Sequence, residues 1–187
     1  MNLIIISSPI DVPNEHEIIN SLFEEGLEIF HIHKPDFSKE ETENFIRQIP
    51  AKHHNKIFLH SDFPKFHSLS PSPSPPIRRG EYFFLSPIFD SISKAGYKSK
   101  FDLLELKYFL LDKKVLPNGE DLGGAVALGG IDEDKIETCR ELGFAGVAVL
   151  GAIWKNKNPV GKFKRLKLLC HAEQSEASVL DSSLRSE

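Results

Sequence analysis

The stretch Cys139-Arg-Glu-Leu-Gly143-Phe-Ala-Gly-Val147-Ala-Val-Leu150 decides the fold. Its first part completes an amphipathic run that starts near Glu133, and Gly143 stands where a helix ends in the left-handed conformation that glycine adopts without strain. Gly146 to Leu150 then forms a short apolar run of strand length. The same punctuation occurs at Leu22-Phe-Glu-Glu-Gly26-Leu-Glu-Ile-Phe30. Two copies of helix, glycine and strand predict a parallel sheet, because parallel neighbours are joined by crossovers and a helix is the usual crossover.

Working outward, the chain continues this alternation. Strands are expected at Leu3 to Ile6, Glu28 to His33, Lys56 to His60, Tyr82 to Ser86, Ala125 to Leu128 and Gly146 to Leu150. Helices are expected at Glu15 to Glu25, Lys39 to Gln48, Phe101 to Leu111, Glu133 to Leu142 and Lys162 to Cys170. Asn14 with Glu17, and Ser38 with Glu41, have capping-box spacing, and Asp132 can cap the helix after it. The fold class is therefore α/β, a TIM (β/α) barrel in which six strands are legible.

Such a barrel typically takes about 250 residues, and this chain has 187, with 40% apolar and 27% charged positions. That composition fits one globular domain, here residues 1–170, followed by a polar, serine-rich tail at 171–187 expected to be disordered. A net charge of −4 gives no reason to expect nucleic acid or an anionic membrane as partner. Cys139 and Cys170 lie in no metal-ligand spacing, which fits a reduced, cytoplasmic setting. Leu3 to Ile6 is too short for a signal peptide or membrane span.

The shortfall in length has a place. Residues 68–80 are rich in proline and serine, and Ser68 to Pro76 reads S-L-S-P-S-P-S-P-P, which cannot continue a helix or a central strand and reads as an extended linker. Pro73-x-x-Pro76-x-Arg78 also has the spacing of an SH3-type ligand, a match that low-complexity runs produce by chance. Only 19 residues separate Asp62 from Tyr82, too few for two further βα units. Strands four and five of the barrel are therefore expected to be missing, which leaves open sheet edges and favours association, for example as a homodimer.

Function in a βα barrel lies after the strands' carboxyl ends. After the fourth legible strand comes Ser86-Pro-Ile-Phe-Asp-Ser91-Ile-Ser93-Lys94, with two hydroxyls and a cation suited to a phosphate or diphosphate. An ordinary serine-rich loop is the plain alternative. Leu128-Gly129-Gly130-Ile131 and Gly151-Ala-Ile-Trp154 follow the last two strands, where backbone can approach an anion closely. His31, His33 and Lys34 end the second strand, and His60-Ser61-Asp62 ends the third. Asp62 is a candidate ligand for a hard cation such as Mg²⁺, and a His/His/Asp transition-metal site is the sharper but less supported reading.

From these motifs the chain resembles the thiamine-phosphate synthases and their relatives the thiazole tautomerases, over Leu3 to about Leu169. The family carries Gly-Pro-x-x-x-Thr-x-Thr-Lys where this chain has residues 86–94, so the resemblance assigns Ser91, Ser93 and Lys94 to phosphate and diphosphate binding. V-A-L-G-G-I at 126–131 and G-V-A-V-L-G-A-I at 146–153 resemble the last two strands and their phosphate turns, with Gly130 and Gly151 giving backbone contacts. The implied reaction joins a pyrimidine methyl diphosphate to a thiazole phosphate and releases diphosphate, with Mg²⁺ as cofactor. Lys94 and Lys34 are the expected catalytic cations, with His31 and His33 on phosphate and Asp62 on the metal.

The departures matter too. The family's Gln-x-Arg-x-Lys appears as His31-Ile-His33-Lys34-Pro35, and a lysine does not reproduce an arginine fork. Its Asn-Asp pair appears as Ser61-Asp62, and no second metal carboxylate is found. The competing expectations are a tautomerase-like isomerase, working by general acid and base, and a remnant that binds phosphate without turnover.

Overall fold

The computed structural model describes residues 1–69, 82–92, 96, 98–99, 101–113 and 124–184. Seven parallel strands form one sheet: β1 (Asn2–Ile6), β2 (Ile29–Ile32), β3 (Ile57–Leu59), β4 (Lys65–Phe66), β5 (Phe83–Leu85), β6 (Ala125–Leu128) and β7 (Gly146–Val149). Their order is β3-β2-β1-β7-β6-β5-β4. The helices are α1 (Glu15–Glu24), α2 (Lys39–Arg47), α3 (Leu103–Lys113), α4 (Ile136–Leu142), the single turn α5 (Gly151–Trp154) and α6 (Pro159–Leu184). The result is a curled half-barrel of the (β/α) type. No helix among the described residues is long and apolar enough to cross a membrane.

Alternation along each strand divides the core in two. Leu3, Ile5, Phe30, Phe83, Leu85, Val147 and Val149 face the helices, packing with Ile19, Leu22, Phe23, Phe163 and Leu166. Ile4, Ile6, Phe84, Val126 and Ala148 form the inner cluster, with Phe63 and Tyr82 against it. Burying a ring such as Phe84, which is fully enclosed, contributes about 2–3 kcal/mol.

All six expected strands are present, but the expected gap is smaller than the sequence implies. A two-residue strand, β4, lies inside the interval expected to hold none, and it pairs Lys65 with Phe84 and Phe66 with Leu85. β3 and β4 sit at opposite ends of the strand order. Only His60 to Pro64 link them, partly as a 3₁₀ turn over His60–Asp62. The chain thus steps across the opening of the half-barrel without a helix, and Phe63 from that link stacks on Tyr82 at 4.6 Å inside it. At the β3 edge, Phe58 and Leu59 stay more than a third exposed. Most of the proline-rich interval, with Pro73, Pro76 and Arg78, lies outside the described residues.

Local signals are mixed. Gly26 and Gly143 both have positive φ at helix ends, 87° and 93°. Ser38 and Glu41 form the reciprocal capping box of α2, and Asp132 accepts from the Glu133 N–H at 2.7 Å. Asn14 does not cap α1: it adopts the left-handed conformation at φ 57°, and its side chain makes no capping bond. The stretch expected to be an irregular tail instead continues α6 as helix as far as Leu184. Lys162 at the start of α6 pairs with Asp132 and Glu133, holding α6 to the entry of α4.

Candidate functional site

The strand ends converge on a cleft of about 190 Å³. Each side of it comes from a different strand: His33 after β2, His60 after β3, Lys65 and His67 from β4 and its end, Ser86 and Ser91 after β5. Gly129 and Gly130 follow β6 and Gly151 follows β7, while Ile6, Leu128 and Ala148 close it from the strands' inward positions. Two larger grooves lie beside α2: one adjoins the cleft at His33 and takes in Leu59 and Ser61, and the other runs between α1 and α2.

The two phosphate-type loops are built on each other. Ile88 and Phe89 donate their N–H groups to the carbonyls of Leu128 and Gly129 at 3.0 and 3.1 Å. This stacking explains the paired glycines. Gly130 has φ 68°, and a Cβ there would lie 2.3 Å from the Asp90 carbonyl oxygen. Ser99 ties the loop down further by donating its hydroxyl to the Ile88 carbonyl at 2.7 Å. On the far side, the Trp154 indole N–H donates to the Ile6 carbonyl at 2.6 Å, fixing α5 over β1. The Lys155 ammonium donates to the Ile92 carbonyl at 3.0 Å.

Of the sequence-predicted residues, His33, Ser91, Gly130 and Gly151 line this cleft together. Ser93 and Lys94 lie outside the described residues. His31 lies fully buried, hydrogen-bonded to the Tyr82 hydroxyl and 3.4 Å from His60, Nδ1 to Nδ1. Lys34 is not in the cleft lining: its ammonium pairs with Glu15 at 2.6 Å and both side chains are almost fully enclosed. It also reaches the Ile10 carbonyl at 3.2 Å and the rings of Phe37 and Phe45. Burial pushes the Glu15 carboxyl up, against the pull of Lys34.

Asp62 is exposed, accepts only a long 3.4 Å bond from the Ser61 hydroxyl, and does not line the cleft. Among the described residues no three His, Cys, Asp or Glu side chains gather as a metal site. Mg²⁺ needs oxygen ligands in near-octahedral geometry, and the cleft offers imidazoles instead. The described side chains therefore do not fit a Mg²⁺ site.

His60, from the His60-Ser61-Asp62 strand end, lines the cleft too, and two cleft residues escape a sequence reading centred on strand ends: Lys65 and His67. Lys65 and His67 belong to β4, whose two residues leave no periodicity to detect, though Pro64 before them marks a break. The His67 Nδ1 lies 2.6 Å from the Ser86 carbonyl, which can only accept, so Nδ1 carries a hydrogen. Burial lowers the pKa of His31 to about 4. Burial, aided by Lys65 and the neighbouring histidines, lowers that of His60 to about 3. Near neutrality His60 in the cleft lining and His31 buried behind it are thus uncharged, with a lysine and hydroxyls at the rim.

No protein-family model matches this chain, and no curated protein sequence matches it significantly. Solved structures do. A thiamine phosphate pyrophosphorylase from Bacteroides thetaiotaomicron aligns at TM-score 0.66 and 28% identity, over 92% of this chain and 99% of that one. A thiamine phosphate pyrophosphorylase from Pyrococcus furiosus aligns at TM-score 0.63 and 14% identity, over 91% and 96%, a likeness of fold alone.

Proposed function

We propose that this chain, which belongs to a thiamine-phosphate-synthase-like family, is a transferase that couples a pyrimidine methyl diphosphate to a thiazole phosphate. The observation that carries this reading is the cleft itself. At the carboxyl ends of a half-barrel it combines a cationic, hydroxyl-bearing rim with an apolar floor, which suits a phosphorylated ring. In the reaction the bond from the pyrimidine methylene to diphosphate oxygen breaks and the electron pair leaves with diphosphate. The thiazole nitrogen then donates its lone pair to the methylene carbon. Lys65 and Ser91, with Ser93 and Lys94 following in the sequence, oppose the charge that develops on the leaving group. Gly130 and Gly151 allow close approach of backbone to phosphate. Magnesium is the family's general cofactor, but the described side chains do not fit it.

Diphosphate release from the two substrates tests this. The wild-type chain should release it, and Lys65→Ala or Lys94→Ala should reduce the rate about 100-fold, the usual effect of deleting one donor to developing charge. Release that is absent from the wild type, or unchanged in both variants, would refute the transferase reading. One observation favours a second reading, a thiazole-tautomerase-like isomerase. His67 is oriented through Nδ1 by the Ser86 carbonyl, which leaves Nε2 as the ring nitrogen available for general acid or base work. Isomerisation of a thiazole phosphate without diphosphate release, lost in His67→Asn, would select it.

A further inference from the structure

We infer that Lys155 is a positioning residue for the loop after β5: its ammonium clasps the Ile92 carbonyl from the β7 side of the cleft and so holds Ser91 and Ile92 at the rim, ready for an anion. This deepens the proposed function and rests on it for the nature of the anion, a phosphate or diphosphate.

The loop after β5 is fastened first at its base. The Ile88 and Phe89 N–H groups donate to the Leu128 and Gly129 carbonyls, and the Ser99 hydroxyl donates to the Ile88 carbonyl. The Ser99 N–H donates to the Asp90 carboxylate at 2.9 Å. These ties reach no further than Asp90. Ser91 and Ile92 line the cleft beyond them, and Ile92 is 39% exposed, so burial does little to hold this end of the loop. The tie to Ile92 comes from a part of the chain 63 residues away, where the Lys155 ammonium donates to its carbonyl at 3.0 Å.

Lys155 has a firm base of its own. It ends α5, and its backbone N–H donates to the Gly151 carbonyl at 3.0 Å. Trp154 beside it is bonded to the Ile6 carbonyl, and Ile153 is fully buried. The side chain therefore runs from a turn fixed on β1 and β7 to the less buried end of the β5 loop. It joins the two strand-end loops that carry Gly151 and Ser91, both of which line the cleft. Lys155 is exposed and is not part of that lining, so it acts on the anion through the loop. A donor that carries charge bonds a carbonyl more strongly than a neutral one. An anion that meets an ordered loop is spared the entropy of ordering it.

The test has a spectroscopic arm and a binding arm. In ¹⁵N-labelled protein without ligand, Lys155→Met should move the backbone amide signals of Ser91 and Ile92 and leave those of Ile88 and Phe89 in place. Calorimetry with inorganic diphosphate should show affinity about fivefold weaker in Lys155→Met, the worth of one exposed hydrogen bond. Lys155→Arg, which keeps a charged donor, should recover most of it. Lys157→Met, which removes an exposed charge two residues further on, should bind as the wild type does, and the urea midpoint of Lys155→Met should match the wild type. Unmoved Ser91 and Ile92 signals, shifts that spread equally to Ile88 and Phe89, unchanged affinity in Lys155→Met, or an equal loss in Lys157→Met would overturn the inference. Failure of diphosphate to bind the wild type would count against the proposed function, and the amide signals would still decide whether the clasp holds the loop.

Discussion

Lys34 shows how a residue's neighbours change what its identity suggests. Its place at the end of β2 points to a catalytic cation, yet its ammonium sits against Glu15 at 2.6 Å in an almost fully enclosed pair. Glu15 also accepts from the Ser8 N–H at 3.1 Å, so the pair ties α1 to the loops after β1 and β2. Removing one partner of such a pair leaves the other buried without compensation, at a cost of about 3–5 kcal/mol. Lys34→Met should therefore lower unfolding stability by about 3 kcal/mol in urea, and Lys34→Met with Glu15→Leu should be more stable than Lys34→Met alone. Unchanged stability combined with lost turnover would return Lys34 to the chemistry.

The histidines make a second residue-scale prediction. His31 and His60 titrate well below an unfolded histidine, at about 4 and about 3. As pH falls below about 6.5, the unfolded chain takes up protons that the folded chain refuses, so stability falls with falling pH. Each histidine contributes up to about 1.4 kcal/mol per pH unit until its folded pKa is reached. Unfolding midpoints measured from pH 7 to pH 4 should decline accordingly, and His31→Phe should flatten the decline. A flat profile in the wild type would contradict the buried neutral pair.

Among the elements, the loops after β5 and β6 behave as one unit, since the 88–89 backbone is hydrogen-bonded onto 128–129. Gly130→Ala would set a Cβ against the Asp90 carbonyl and the Phe89 side chain at a φ that side chains disfavour. The expected loss is about 2 kcal/mol, with weakened diphosphate binding by calorimetry, and neither change would appear if the loops were independent. Elements with strong local grammar were readable from sequence. β7 and α4 are marked by Gly143, α2 by its Ser38–Glu41 box, and the glycine pair by its place after β6. β4 was not readable, because two residues carry no period. Nor was the end of α6, where a polar serine-rich composition gave no helical signal. Asn14 misled because its residue type serves a left-handed turn as well as it serves a cap. His60, Lys65 and His67 share a cleft only because the chain steps across the opening, a long-range fact that no local pattern contains.

Across the whole molecule, the missing length appears as an opening between β3 and β4, crossed by five residues and filled from within by Phe63, Tyr82 and the imidazoles. The half-barrel keeps the strand ends that form the rim of the cleft. The described carboxylates do not gather there. Phosphorylated substrate is proposed to bind at these strand ends rather than in the groove between α1 and α2. Chemical-shift mapping of ¹⁵N-labelled protein titrated with thiazole phosphate tests it most directly. The account predicts saturable shifts at His33, His60, His67, Ser91, Gly130 and Gly151, with Asn14, Asn44 and Gln48 unmoved. Shifts confined to the α1–α2 groove, or none at saturating ligand, would contradict it.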